Sequence, residues 1–88
     1  MGYKNSLEHF KALQEQCFEI FEAKNNDYGD SFRESGLVGL IVRMHDKLAR
    51  ILNVSKTQIT LVESEQLRDT LIDLANYALL AVMVLDEE

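Results

Sequence analysis

From Leu67 to Leu85 the chain is almost continuously apolar, yet the interior of this stretch carries Asp69, Asp73 and Asn76. At a helical pitch these three polar residues lie within roughly 60° of one another, so they form one stripe on an otherwise apolar cylinder. Leu80 and Met83 continue the stripe as apolar, which makes it local. Carboxylates in such a setting have to be paired, hydrated or held against a cation, because burying them bare is strongly unfavourable.

Two further stretches share the helical period, and the 88 residues include no proline. Asn5 and Ser6 followed by Glu8 resemble a helix start, and Leu7, Phe10, Leu13, Cys17, Phe18 and Phe21 recur at helical spacing. This predicts a first helix from Ser6 to about Asn26. Asn25, Asn26, Asp27 and Gly29 suit its end, and Ser31 to Ser35 reads as a turn. A second helix is expected from near Gly36 to Leu52, with Leu37, Leu40, Ile41, Met44, Leu48, Ile51 and Leu52 on one face and Arg43, Asp46, Lys47 and Arg50 on the other. Asn53 to Val62 reads as a linker with one short helical turn. A third helix is expected from Ser64, its capping hydroxyl, to about Asp86, with Glu63 and Glu65 suited to its N-terminus.

The expected fold is therefore all-α, an antiparallel bundle of three main helices forming a single domain over residues 1–88. A domain of this size buries only about two-thirds of its unfolded surface. Helices apolar all round imply more core than one chain encloses, so a homo-oligomer, dimer or tetramer, is expected to complete the bundle. The net charge of −6 works against nucleic acid and anionic membranes as partners. One cysteine, Cys17, excludes an intramolecular disulfide and points to packing and a reducing cytoplasm. The apolar run Leu74 to Leu85 is too short to span a bilayer.

The polar groups leave alternatives open. Asp69 and Asp73, one turn apart, form either a solvated face or a pair aimed at a hard cation such as Mg²⁺. Arg43, Lys47 and Arg50 with Asp46 form either a phosphate-binding stripe or a wet face with an Asp46–Arg50 pair. Glu15, Glu19 and Glu22 have a metal-binding spacing, but Glu15 and Glu19 lie opposite the apolar stripe and read as solvated, while Lys24 and Tyr28 project toward the core side. His9 and His45 are separated from any nucleophile, and Gly29, Gly36 and Gly39 match no phosphate loop. One Cys and two His supply no zinc pattern.

Lys24-Asn25-Asn26-Asp27-Tyr28-Gly29, RMHDKLAR from Arg43 to Arg50 and DTLIDLANY from Asp69 to Tyr77 together resemble the nucleotide-modification-associated domain of bacteria and their phages. That domain is similar to the MazG-like all-α nucleoside triphosphate pyrophosphohydrolases. The resemblance implies an oligomeric helical protein in which acidic residues hold Mg²⁺ against nucleotide phosphates. It implies catalytic roles for Asp27, Asp69 and Asp73, metal contacts from Asp46, Asp69 and Asp73, and nucleotide binding by Lys24, Tyr28, Lys47, Arg50, Asn76 and Tyr77. The wider group carries Glu-x-x-Glu and Glu-x-x-Asp pairs, where this chain has Arg43-x-x-Asp46 and Thr70-x-x-Asp73.

Two functions follow. In the first, carboxylates and Mg²⁺ polarise the phosphate chain, the cations neutralise the leaving pyrophosphate, and a water deprotonated by a carboxylate such as Asp27 attacks the α-phosphorus. In the second, a helical oligomer binds nucleotide or a partner without turnover. Its polar stripes then form an interhelical network, with Asp69 facing Lys47 or Arg50 and Asn76 facing Tyr28.

Overall fold

The computed structural model describes Gly2 and residues 4–55 and 61–88, and all the regular structure among them is helical. The helices are α1 (Ser6–Tyr28), α2 (Phe32–Ser55) and α3 (Leu61–Asp86). By contacts the chain divides into two units, Met1–Asp30 and Ser31–Glu88.

In the first unit, Asn5 has extended backbone and caps α1, its side chain accepting the Glu8 N–H at 2.8 Å. The Glu8 carboxylate in turn accepts the Lys4 N–H at 3.3 Å, tying the preceding chain to the first turn. The helix continues beyond Asn26 to Tyr28 and stops at Gly29, where φ is 61° and ψ is −148°. Residues with a Cβ rarely adopt that backbone. The Gly29 N–H reaches the Asn25 carbonyl at 2.7 Å, and Asn25 Nδ2 donates to Asp30 Oδ1 at 3.1 Å, which fixes the turn. No residue of α1 is buried: Leu7, Phe10 and Phe18 are exposed, and Leu13, Cys17 and Phe21 are half-buried.

The second unit begins with a departure from expectation. Ser31 to Ser35 reads as a turn, but from Phe32 the backbone is already helical, with the Glu34 N–H on the Ser31 carbonyl at 3.0 Å. Gly36 then breaks the helix with φ 67° and ψ 177°, so the long part of α2 starts after it, where the apolar period begins. At its other end α2 runs past Leu52 to Ser55, because Asn53, Val54 and Ser55 contain no helix breaker. The third helix starts at Leu61 rather than at Ser64. Ser64 therefore lies inside the first turns of α3, since Leu61, Val62 and Glu63 carry nothing that opposes a helix and acids suit its positive end. Residues 56–60 of the expected linker lie outside the described residues.

Two charge pairs set the packing of α2 on α3. Arg33 grips Glu87 with two hydrogen bonds, Nε to Oε2 at 2.8 Å and a terminal nitrogen to Oε1 at 2.6 Å. Lys47 Nζ lies 3.1 Å from Asp73 Oδ2. The residue numbers of each pair add to the same total, which defines one antiparallel register. Leu37, Leu40, Met44, Lys47 and Ile51 are then level with Met83, Leu80, Asn76, Asp73 and Asp69, respectively. Leu40, at 1% exposure, and Ile72, at 8%, are the buried side chains among the described residues. The single apolar face expected for α2 is thus divided. Leu37, Leu40, Met44 and Ile51 form the line toward α3, while Ile41, Leu48 and Leu52 stay exposed.

Lys47 also departs from expectation, standing in the line toward α3 and not among the solvated residues of α2. Its position two turns beyond Leu40 returns it to the Leu40 side of the helix. No described helix is long and apolar enough to cross a membrane.

Two outcomes are expected. Leu40→Ala removes a fully enclosed side chain and lowers unfolding free energy by about 2–5 kcal/mol in urea titration, whereas Leu48→Ala has a much smaller effect. The Arg33 guanidinium, hydrogen-bonded to Glu87, holds that carboxyl below its usual value of 4.5. A lowered carboxyl contributes stability above the unfolded value and loses it as pH falls through the folded one. Glu87→Gln therefore lowers the melting temperature at pH 7, and the difference from the parent closes as the pH is taken well below 4.5.

Candidate functional site

The α2–α3 unit brings a cation and a carboxylate of the predicted site together in a sheltered place. The side chains of Lys47 and Asp73 are 20% and 28% exposed, against 36% and 47% for Arg33 and Glu87. The less hydrated pair experiences the lower effective dielectric, so its attraction is screened less by water and salt. Removing either partner leaves the other charge partly desolvated and uncompensated.

Around this pair each helix contributes a narrow polar stripe. On α2, Arg43, Lys47 and Arg50 fall within roughly 60° of one another, and both arginines are exposed. On α3, Asp69 is exposed one turn before Asp73, while Asn76 is half-buried one turn after it and is already engaged. Lys47 meets Asp73, not Asp69. The register explains this, because Asp73 is the α3 residue level with Lys47 and Asp69 is level with Ile51. Tyr77 is half-buried on the same helix.

Asp46 points elsewhere. Its carboxylate lies 3.9 Å from His45 Nδ1, and both side chains are more than two-thirds exposed, at 73% and 79%. Thr70 donates its hydroxyl to the Gln66 carbonyl at 2.9 Å. That hydroxyl bonds back one turn within its own helix. Among the described residues no three His, Cys, Asp or Glu side chains gather as a metal-binding group.

Lys24, Asp27 and Tyr28 belong to the other unit, in the last turns of α1, and all three are exposed, Tyr28 at 72%. Lys24 and Tyr28 were expected on the core side. With Gly29 stopping the helix directly after Tyr28, the final turn of α1 has no following helical turn to shelter it. Glu15 and Glu19 are exposed as their phase requires, and Glu22 is exposed as well.

One participant escaped the sequence reading. Arg33 falls in the stretch that reads as a turn, yet its bidentate hold on Glu87 joins the start of α2 to the end of α3, and its guanidinium also lies 4.7 Å from the Phe32 ring centroid. A turn of helix before Gly36 was the missing signal.

The three stretches Lys24–Gly29, Arg43–Arg50 and Asp69–Tyr77 now have distinct structural settings. The first is a glycine-stopped helix end, and the other two face one another across the α2–α3 line. No curated protein and no solved structure matches the chain. A family described as nucleotide modification associated domain 1 matches residues 24–85, from the end of α1 through nearly all of α3. With most of its length inside that match, the chain belongs to the nucleotide modification associated domain 1 family.

Proposed function

We propose that this protein binds the phosphate groups of a nucleotide or deoxynucleotide along the stripe led by Lys47, as a self-associating cytoplasmic protein related to the MazG-like pyrophosphohydrolases. The supporting observation is the Lys47 ammonium, held 3.1 Å from Asp73 and only 20% exposed, with Arg43 and Arg50 on the same side of α2. An ammonium has three donors, so one hydrogen bond to a carboxylate leaves two for phosphate oxygens. Arg50 adds a planar fork suited to the same oxygens. Nucleotide and protein are both anionic, since the chain carries −6, so local cations have to offset the general repulsion.

Mg²⁺ fits this reading as an ion shared with the nucleotide, because it is commonly held by one or two carboxylates plus substrate phosphates and water. Asp69 and Asp73 would hold it; Asp46, exposed beside His45, is not placed to join them. When bound, the ion would neutralise charge on the phosphate chain. Lys47 and Arg50 would bind the phosphates and stabilise charge on departing pyrophosphate, and Asn76 and Tyr77 would orient the nucleotide.

A second reading is favoured by two particular contacts. The existing Lys47–Asp73 pair and the internally satisfied Thr70 hydroxyl are both suited to binding without turnover. Self-association is supported by the shortage of core: across the described residues the buried side chains are Leu40 and Ile72, while Phe10, Phe18, Ile41, Leu48, Leu79 and Leu85 are exposed.

Calorimetric titration with nucleoside mono- and triphosphates tests binding, and pyrophosphate release in Mg²⁺ tests turnover. Lys47→Ala is expected to weaken triphosphate binding by about tenfold or more, with a smaller effect for monophosphate. Equal affinity in Lys47→Ala and the parent would overturn the site. Binding by the parent without pyrophosphate release above an Asp69→Ala, Asp73→Ala control would select the non-catalytic reading.

A further inference from the structure

Helix α2 carries a second line of residues beside the one that packs on α3. Val38, Ile41, His45, Leu48 and Leu52 follow one another at alternating steps of three and four, the spacing of a coiled-coil seam. All five are exposed, Val38 at 74%, Ile41 at 51%, Leu48 at 47% and Leu52 at 55%, with the His45 side chain at 79%. The line is displaced by one residue from Leu37, Leu40, Met44, Lys47 and Ile51, so α2 has two adjacent seams and α3 covers one.

We infer that the exposed seam is the docking surface for a second copy of this chain, with the two α2 helices antiparallel about a two-fold axis. The inference deepens the self-association in the proposed function and does not depend on nucleotide binding. In this arrangement Ile41 of one copy meets Leu52 of the other and His45 meets Leu48. The two-fold axis repeats both contacts, giving an isologous interface.

Charge supports a self-contact. The chain carries −6, so two copies repel unless their charges are kept out of the interface. No Asp, Glu, Lys or Arg stands in the seam itself; its outer flank is Val42 and Ala49, with Asp46 beyond them and its carboxylate 3.9 Å from His45 Nδ1. Arg43 and Arg50 lie on the other side of the α3-facing line, so the phosphate stripe stays outside the contact.

Area supports it as well. At these exposures the apolar members of the seam with Val42 and Ala49 offer on the order of 500 Å² per copy, at the upper end of the roughly 300–600 Å² of the largest apolar patch on a typical monomer. With His45 included, two copies would cover at most about 1,300 Å², at the lower edge of the roughly 1,200–2,000 Å² of a stable interface. His45 is the polar member of the seam, and a polar residue at such a position sets register at a cost in affinity.

Sedimentation equilibrium of the full chain tests the assignment. The parent is expected at twice its 10.1 kDa mass. Leu48→Lys is expected to raise the dimer dissociation constant on the order of a hundredfold, because it places an ammonium in an apolar contact. His45→Leu is expected to lower that constant. A Cys17→Ser, Ile41→Cys, Leu52→Cys variant keeps the test open if Leu48→Lys unfolds: mild oxidation should join Cys at 41 of one chain to Cys at 52 of another. A monomeric parent, including one whose seam is covered by its own α1, would overturn the inference. A dimer unaffected by Leu48→Lys and not cross-linked between 41 and 52 would overturn it too.

Discussion

The contact between Lys47 and Asp73 links the packing of the α2–α3 unit to its candidate chemistry. An ammonium and a carboxylate in the line between two helices are tolerable only when they satisfy each other, because each alone would carry a large desolvation penalty. Their pairing also fixes register. A slide by one turn would place Lys47 level with Asn76 or with Asp69, and Leu40 would leave its enclosed position beside α3. The Arg33–Glu87 pair holds the same register from the far end, in a wetter setting where a bidentate guanidinium is the more effective donor.

The packing of α3 along the line that holds Lys47 divides α2 into three strips. The central strip packs on α3 through Leu37, Leu40, Met44, Lys47 and Ile51. Arg43 and Arg50 flank it on one side, and the exposed apolar seam flanks it on the other. A helix in a small domain can seldom leave so much of its circumference unsatisfied, because little core remains elsewhere to stabilise the fold. Assigning one flank to anionic phosphate and the other to a second copy gives each exposed strip a partner of matching chemistry.

Individual residues show how far the site could be read in advance. Asp69, Asp73 and Asn76 were visible as a polar stripe because a 3.6-residue period gathers them regardless of what they face. Lys47 was visible as a candidate phosphate ligand but was placed among the solvated residues, since its charge outweighed its position two turns beyond Leu40. Asn25 and Gly29 were legible as a helix end, and the bond from the Gly29 N–H to the Asn25 carbonyl shows why these two residue types stand there. Arg33 was not legible, because its role depends on Glu87, far away in the chain.

Local sequence determined that the described regular structure is helical and where the glycines interrupt it. Hydrogen bonding within a helix is local, and φ near 61° at Gly29 and 67° at Gly36 is a property of single residues. Tertiary structure decided which apolar line of α2 packs on α3 and which aspartate receives Lys47. Both depend on the relative slide of two helices, which periodicity leaves free because a heptad-spaced line looks alike in every register. Long-range contacts, among them Lys47 with Asp73 and Arg33 with Glu87, remove that freedom.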